Sequence, residues 1–386
     1  MEQQFSISVW LKFIIVILII IGITTIGLGF YYESDRTWAN FLLNNYLFLS
    51  LAIGATFFLA LQYITQSGWS ALFIRIPHAI GMYIPVAAIL ILILIFGMHS
   101  IYDWSIPEIR VTDPVIKHKS PYLNIPFFFI RLVIFFLLWI ILTRLLRRTS
   151  LKEDHEAGLK YFIKSEFYSK IYIFIIAITF SIATFDLIMS IDVHWYSTIF
   201  AAKNFVSGLN HSVAIITLIV IFLNSKGCLN NLNKNHLHDF SRYIFILSTI
   251  WAYLWFVEYL IIWFTNIPEE TIYYVVRTGE EWKVFFFLNI FLNWVIPFIA
   301  LFSNKLDNKK PIILIVCVVM IIGQWIDLYL QIMPGTTGKY YTGIIEIGTF
   351  AGFAGVFILT IAITLTKIPL IPQNHPFLLE SIHHQS

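Results

Sequence analysis

The sequence predicts an all-α integral membrane protein with ten transmembrane helices. Hydrophobic residues make up 59% of its 386 residues, and charged residues make up 12%, about half the ~25% typical of soluble domains. The mean hydropathy is +0.80. So few charges cannot cover the surface of a soluble domain, so most of the surface must face lipid. This composition excludes a disordered chain, a coiled coil and a nucleic-acid-binding protein.

Ten apolar runs are long enough to cross the membrane, which takes about 20 helical residues for ~30 Å of hydrocarbon. They lack the alternation of barrel strands, so we expect helices. The predicted spans are Val9–Phe30, Leu42–Tyr63, His78–Gly97, Pro126–Leu146, Lys170–Ser190, Asn204–Leu223, Tyr243–Phe264, Val284–Ser303, Ile312–Gln331 and Gly343–Thr366. Residues 1–369 are therefore one polytopic domain, and we expect the polar tail, residues 370–386, to be frayed.

Two aspartates occupy similar places in two of the spans. Asp186-Leu-Ile-Met ends the fifth span, and Asp327-Leu-Tyr-Leu-Gln-Ile-Met ends the ninth. This similarity favours two related four-helix bundles, spans 2–5 and spans 6–9, with spans 1 and 10 flanking them. In the last span, Gly348 and Gly352 have the spacing of a closely packed helix pair.

The basic residues predict the orientation. Sixteen of the 25 Lys and Arg residues lie on the side that holds both termini and the 2–3, 4–5, 6–7 and 8–9 loops. Since cytoplasmic loops are enriched in Lys and Arg, both termini are expected to be cytoplasmic. The long 3–4 and 7–8 loops then lie outside, either as an ordered cap that docks a partner or as solvated loops.

Ionisable residues inside the spans are the functional candidates, because each is costly in lipid unless it is paired or hydrated. Asp186, Glu258 and Asp327 lie roughly 6–9 Å from the outer ends of their spans, at ~1.5 Å per residue, and His211 lies at a similar or greater depth. If they face inward, they form one layer suited to proton exchange or to binding a quinol headgroup. The competing interpretation is a set of separate interhelical hydrogen bonds, or snorkelling to the surface.

Other polar residues lie near this layer or at the opposite end of the spans. Arg131 is either the counter-ion of these acids or a snorkelling side chain, and Gln324 lies on the Asp327 face of the ninth span. Towards the cytoplasmic ends, we favour interfacial anchoring over an inner proton entry for four residues: Gln62, Arg75, His78 and Tyr83.

The chain lacks the ligand patterns of a redox cofactor. Cys228 lies in a polar loop and Cys317 in an apolar run, so they predict neither a disulfide nor a metal site. His78 and His99 lie near opposite membrane faces and cannot bind one iron. Any haem or iron–sulfur cluster would then belong to another chain, and no metal site is expected here.

Several stretches together resemble one family. They are Phe185-Asp186-Leu-Ile-Met-Ser-Ile-Asp192-Val-His194-Trp195 through Phe200; His238-Asp239 with Trp251-Ala-Tyr253, Glu258-Tyr259, Trp263 and Asn266-Ile-Pro268-Glu269-Glu270; Trp325-Ile-Asp327-Leu-Tyr329 with Met333-Pro334; and Lys119, Tyr122-Leu-Asn124, Phe127-Phe128 and Arg131. In this order they resemble the NrfD-like (polysulfide reductase membrane-subunit-like) integral subunits of bacterial alternative complex III, nearest to quinone-binding subunit 2. The resemblance covers roughly residues 97 to 334. Val193 stands where the family more often has proline.

The resemblance implies a subunit of a quinol:cytochrome c oxidoreductase in the bacterial inner membrane. Its partners would be an iron–sulfur subunit, c-type cytochrome subunits and a sister ten-span subunit, and the haem and iron–sulfur clusters would reside in those partners. Quinol or menaquinol would be the only cofactor here, and none would be bound covalently. Asp186, Glu258 and Asp327 would then form a proton relay. Five further residues would extend the relay or contact quinol: Asp192, His194, His211, Arg131 and Gln324.

Two other functions fit the same residues. Ten spans, internal similarity and buried carboxyls also suit a stand-alone proton-coupled secondary transporter, which broken helices at the middle of the membrane would favour. A purely structural anchor for redox subunits would need no carboxyl layer.

The orientation can be tested with reporter fusions after Lys160 and after Glu270. We expect the first reporter to be cytoplasmic and the second to be external, because of the positive charge around the 4–5 loop. An external signal after Lys160 would overturn the topology.

Overall fold

The computed structural model describes residues 5–302 and 310–385. It is 82% helical, and the described residues contain no strand. Ten helices are long and apolar enough to span a membrane, which confirms the predicted number and indicates a multi-pass membrane protein. We label them in order: α1 Val9–Tyr32, α2 Ser34–Ile64, α3 Arg75–Ile101, α4 Ile125–Glu153, α5 Lys160–Ile191, α6 Ile199–Ser225, α7 Lys234–Thr265, α8 Lys283–Leu301, α9 Lys310–Thr336 and α10 Ile344–Thr366.

Most helices extend beyond their predicted apolar runs, because polar residues cap or continue them. Asn124 accepts a hydrogen bond from the Phe127 N–H at the start of α4, and Asn233 caps α7 through the His236 N–H. Such caps satisfy the free N–H groups of a first turn. The predicted end of the eighth span, Ser303, lies outside the described residues.

Two spanning helices are irregular. α3 consists of two α-helical pieces, Arg75–Gly81 and Ile84–Ile93, followed by a 3-10 turn at Leu94–Gly97 and a short helix. α8 contains a π turn at Phe291–Val295, shortly before Pro297. Because proline has no N–H to donate to the preceding turn, a helix accommodates it with a break or a wider turn.

α2 is the central helix and is buried along most of its length. It contacts α1, α3, α5, α6, α9 and α10. The other neighbours include α1 with α10, α3 with α4, α6 and α10, α4 with α5, α6 with α5, α7 and α9, α7 with α8, and α8 with α9. Large apolar side chains on the outer surfaces of α1, α4 and α7 are exposed, as expected for helices that face lipid.

α1 and α10 meet at glycines, as the spacing of Gly348 and Gly352 predicts. A Cβ built on Gly352 would lie 2.6 Å from the Gly22 Cα, and a Cβ on Gly348 would touch the Thr25 side chain. The two backbones can therefore approach only because a side chain is missing at this crossing.

The C-terminal tail is ordered, so the expectation that it is frayed is wrong. It forms a short helix, Leu378–Ile382, against the ends of α2 and α7. The buried Ser381 hydroxyl donates to the Trp69 carbonyl at 2.7 Å and accepts from the Leu72 N–H at 3.1 Å. His384 contacts Asp239 at 2.7 Å. The tail thus bonds to the connection between α2 and α3 through Ser381 and to α7 through His384.

The glycine contact between α1 and α10 can be tested by substitution. Gly352→Leu should lower the free energy of unfolding by about 1–3 kcal/mol, because the added side chain overpacks a backbone contact. Gly27→Leu is the matched control, since nothing lies within 4 Å of a Cβ at Gly27. Thermal unfolding in detergent measures both, and equal effects would contradict the close packing.

Candidate functional site

A buried ion pair joins the start of α4 to the end of α5. The Arg131 guanidinium donates two hydrogen bonds to Asp186, from Nε to Oδ2 at 2.8 Å and from Nη2 to Oδ1 at 3.0 Å. It also donates to the Tyr122 carbonyl and lies 3.8 Å above the Tyr122 ring. Asp186 is fully buried. Of the two predicted roles for Arg131, this geometry corresponds to the counter-ion.

A pocket of about 360 Å³ lies beside this ion pair. Its lining residues are Lys119, Tyr122, Leu123, Phe185, Asp186, Met189, Ser190, Val193 and Trp195. The Trp195 Nε1–H is buried and has no hydrogen-bond partner among the described residues. The Trp195 ring stacks on Tyr273 with the centroids 3.8 Å apart, which fixes its orientation. The pocket therefore combines apolar walls, a carboxylate and a free donor.

Two residues at the rim of this pocket have shifted pKa values. Burial lowers the pKa of Lys119, whose Nζ donates to the Val193 carbonyl at 2.6 Å. Burial and the nearby Asp186 charge raise the pKa of Tyr122 to about 12. Tyr122 is therefore a neutral hydroxyl at physiological pH.

A second buried ion pair joins α6 to α7. The Lys203 Nζ donates to Glu258 Oε2 at 2.6 Å. Ser197 donates to Oε1 at 2.8 Å, and Tyr274 donates to Oε2 at 3.1 Å. Both carboxylate oxygens of Glu258 thus accept hydrogen bonds. Lys203, Ser197 and Tyr274 are not among the residues that the sequence predicted. The available signal was a lysine near the start of an apolar span, which is weak in a lysine-rich chain.

Asp327 is bonded differently. Asn289 Nδ2 donates to its Oδ1 at 3.0 Å, while Oδ2 is buried without a partner among the described residues. Asn293 joins Asn289 to His211, which lies on α6. Gln324, one turn away on α9, donates instead to the Ser50 hydroxyl at 3.1 Å. The structure therefore links Asp327 and His211 through asparagines and separates Gln324 from them.

Asp192 and His194 lie at the outer surface, in the connection after α5. Arg277 donates to Asp192 at 2.9 Å and to the carbonyls of Leu330 and Gln331 at the end of α9. The exposed His194 ring lies 2.7 Å from an Asp113 oxygen. Both residues line a cleft of about 370 Å³ between the outer loops, where they are more accessible than the buried carboxylates.

The three carboxylates do not bond to one another. Within the described residues, each has partners on its own pair of neighbouring helices: α4 and α5, α6 and α7, or α8 and α9. Lys203 connects two of these sets electrostatically, since both Glu258 and Asp327 act on it. The separate interhelical hydrogen bonds considered from the sequence are thus present.

The opposite end holds another buried charge, which corrects the expectation of interfacial anchors. Arg75 is fully buried and binds Asp154 at 2.5 Å and Ser150 at 2.8 Å. His78 is also buried. The ordered tail explains this burial, because the Gln373 N–H donates to Asp154. Burial and the Arg75 charge lower the pKa of the tail residue His375 to about 4.

No group of metal-ligating side chains occurs among the residues that the structure describes. Both cysteines, Cys228 and Cys317, are free thiols. In comparisons with known proteins, no protein-family model matches the chain, and no curated protein matches it.

The Arg131–Asp186 pair predicts a large stability effect. Asp186→Asn should lower the free energy of unfolding by about 3–5 kcal/mol, because it leaves the buried Arg131 charge uncompensated. Chemical unfolding in detergent measures the change.

Two further variants test whether charge is the cause. Replacing both partners, as Arg131→Leu with Asp186→Leu, should recover most of the loss, since no uncompensated charge remains. Glu156→Gln breaks an exposed pair with Lys160 and should have no measurable effect. If Asp186→Asn is as mild as Glu156→Gln, the pair does not stabilise the fold.

Proposed function

We propose that this chain is a membrane subunit of a quinol:cytochrome c oxidoreductase of the alternative complex III type. One observation carries the proposal: every residue that lines the pocket beside Asp186 belongs to the stretches on which the family resemblance rests. These stretches are separate in sequence, from Lys119 to Leu123 and from Phe185 to Trp195. Their convergence on one pocket is what a ligand-binding role for them requires.

The pocket suits a quinol headgroup in size and chemistry. Small-molecule sites are typically apolar cavities of about 300–1,000 Å³ with a few placed polar groups. Trp195 would donate to one ring oxygen, and the Asp186 carboxylate would accept from the other. A bound quinol supplies two electrons and two protons. Arg131 donates to both oxygens of Asp186 and fixes the orientation of the carboxyl group, while Tyr122 and Phe127 shield the guanidinium.

The helix neighbours support two related bundles, α2–α5 and α6–α9. Within each set, consecutive helices are in contact and the last returns to the first. Arg131 and Asn289 are each the seventh residue of their helices, α4 and α8. Each binds the aspartate of the following helix, Asp186 or Asp327. This correspondence strengthens the similarity between the fifth and ninth spans.

The proposed setting follows from the resemblance and the charge distribution. The chain would lie in the bacterial inner membrane with both termini in the cytoplasm. An iron–sulfur subunit and c-type cytochrome subunits would dock on the outer loops, beside a sister ten-span subunit, and would carry the haem and the clusters. The outer loops contain short helices, such as Pro268–Thr278, which supports an ordered docking cap.

A proton-coupled transporter is the second candidate, favoured by the irregular helices α3 and α8. In transporters built from repeats, interrupted helices occupy corresponding places in the two halves. Here α3 is the second helix of its set and α8 is the third. This mismatch ranks the transporter below the oxidoreductase subunit.

Purification of the tagged chain from its own host tests the assignment. We expect it to co-purify with haem-containing and iron–sulfur subunits that show quinol:cytochrome c activity. A lone chain without haem-bearing partners would contradict the proposal and favour transport.

The same preparation tests the pocket. Trp195→Phe keeps an aromatic ring but removes the free N–H, so KM for quinol should rise roughly 2- to 10-fold, as loss of one hydrogen bond worth about 0.5–1.5 kcal/mol predicts. Trp263→Phe changes an exposed tryptophan and should leave KM unchanged. An unchanged KM in an assembled Trp195→Phe complex would remove quinol from this pocket.

A further inference from the structure

Four side chains from three helices form an unbroken hydrogen-bonded chain across the second half of the protein. His211 Nε2 lies 2.8 Å from Asn293 Oδ1. Asn293 Nδ2 donates to Asn289 Oδ1 at 2.6 Å. Asn289 Nδ2 donates to Asp327 Oδ1 at 3.0 Å. All four residues are buried, so each contact must pair a donor with an acceptor.

Most groups around His211 are acceptors, and one is a hydroxyl that can donate or accept: Ser207 Oγ lies 3.5 Å from Nδ1. Its Nδ1 lies 2.6 Å from the Ser207 carbonyl, and its Nε2 faces Asn293 Oδ1. The Met320 carbonyl also faces the ring. A neutral imidazole has one N–H, so it can satisfy only one of its two ring contacts as a donor, whereas an imidazolium donates from both nitrogens.

Turning the asparagine amides does not remove this requirement. Asn293 Nδ2 faces two oxygens, Asn289 Oδ1 at 2.6 Å and the Asn289 carbonyl at 3.1 Å. Rotating the Asn293 amide would place its Oδ1 against both of these Asn289 oxygens. Rotating Asn289 as well would place its oxygen against Asp327, which is tolerable only if Asp327 is protonated. The amides therefore point in this direction when Asp327 is a carboxylate and His211 donates from both nitrogens, and in the opposite direction when Asp327 is protonated and His211 is neutral.

We propose that His211 and Asp327 form a bridged ion pair, an imidazolium and a carboxylate joined through Asn293 and Asn289, and that this pair is the proton-exchanging unit of the chain. A hydronium ion transfers its proton to the unpartnered Oδ2 of Asp327 and becomes water. The imidazolium, now without a counter-charge, transfers its Nε2 proton to a water molecule, which becomes hydronium, and both asparagine amides turn so that Asn293 Nδ2 donates to the neutral ring and the protonated Asp327 donates to Asn289 Oδ1. The pair stays neutral as a whole, while one proton enters on α9 and another leaves on α6.

The other ionisable groups near the pair have partners or environments that differ from those of His211 and Asp327. Lys203 and Tyr46 face Asp327, and Lys203 is itself held by Glu258 at 2.6 Å. In the first half, Arg131 contacts Asp186 directly at the place where Asn289 stands in the second half. A guanidinium stays charged at physiological pH, so Asp186 has a permanent cation as its direct partner. The cation of Asp327 is a titratable imidazole, two amides away.

Gly323 makes room for the bridge. A Cβ at this position would lie 2.5 Å from Asn293 Oδ1. Gly323→Ala therefore displaces Asn293 without changing any polar group of the chain, which makes it a second way to interrupt the bridge.

Nitrogen-15 NMR of labelled histidine in the purified complex, reconstituted in lipid, tests the assignment. In the unmodified protein at pH 8, we expect the resonances that disappear in His211→Gln to report two protonated ring nitrogens. Asn293→Leu and Gly323→Ala should each reduce this number to one. Asn204→Leu is the matched control on α6, because Asn204 donates to the Phe200 carbonyl of its own helix. This variant should keep two protonated ring nitrogens on His211.

Infrared spectroscopy provides the reciprocal test. His211→Gln should create a carboxylic acid C=O band that is absent from the unmodified protein, because Asp327 loses its counter-ion. Adding Asp327→Asn to that variant should remove the band. A singly protonated His211 in the unmodified protein, or no new band in His211→Gln, would overturn the proposal.

This inference deepens the proposed function, because its physiological role rests on proton exchange in an oxidoreductase complex. Neither spectroscopic test uses quinol or cytochrome c. If the chain purifies without haem-bearing partners but the NMR and infrared results are as expected, only the proposed function is overturned. Normal quinol oxidation with a neutral His211 would overturn only the bridged ion pair.

Discussion

The structure depends on one constraint: a charge buried between apolar helices must find an opposite charge or a set of hydrogen bonds on a neighbouring helix. Arg131 and Asp186 meet this constraint between α4 and α5, and Lys203 and Glu258 meet it between α6 and α7. Arg36 of α2 likewise pairs with Glu346 at the start of α10. Because each partner lies on a different helix, these pairs specify which helices are neighbours as well as neutralising charge.

The choice of helix neighbours depends on such polar contacts more in lipid than in water. Lipid tails are as apolar as the side chains they would replace, so burying leucine gives little preference for one helix neighbour over another. Close backbone contact and polar contacts supply the preference instead. Gly22 and Gly352 supply it between α1 and α10, and the ion pairs supply it within α2–α9. The same residues that suggest chemistry therefore also hold the fold together.

The two sets of helices, α2–α5 (the first half) and α6–α9 (the second half), share one hydrogen-bond geometry but differ in the donor. In both, the aspartate of the last helix receives a hydrogen bond from the seventh residue of the preceding helix. In the first half the donor is an arginine, and the aspartate lies beside a ligand-sized pocket. In the second half the donor is a neutral amide, and one oxygen of Asp327 has no partner among the described residues. The two proposals therefore place ligand binding in the first half and proton exchange in the second.

The sequence by itself determined the all-helical class, the ten spans, the glycine contact of α10 and the location of Asp186, Glu258 and Asp327 inside three of the spans. Each follows from hydropathy and spacing along one helix, which local sequence contains. Only the tertiary structure decided that Lys203 binds Glu258, that two asparagines link His211 to Asp327, and that the tail is ordered around Asp154. The contacts that join two helices, or a helix and the tail, lie between residues from 38 to 219 positions apart, and a pattern within one helix carries no information about which helix it will face.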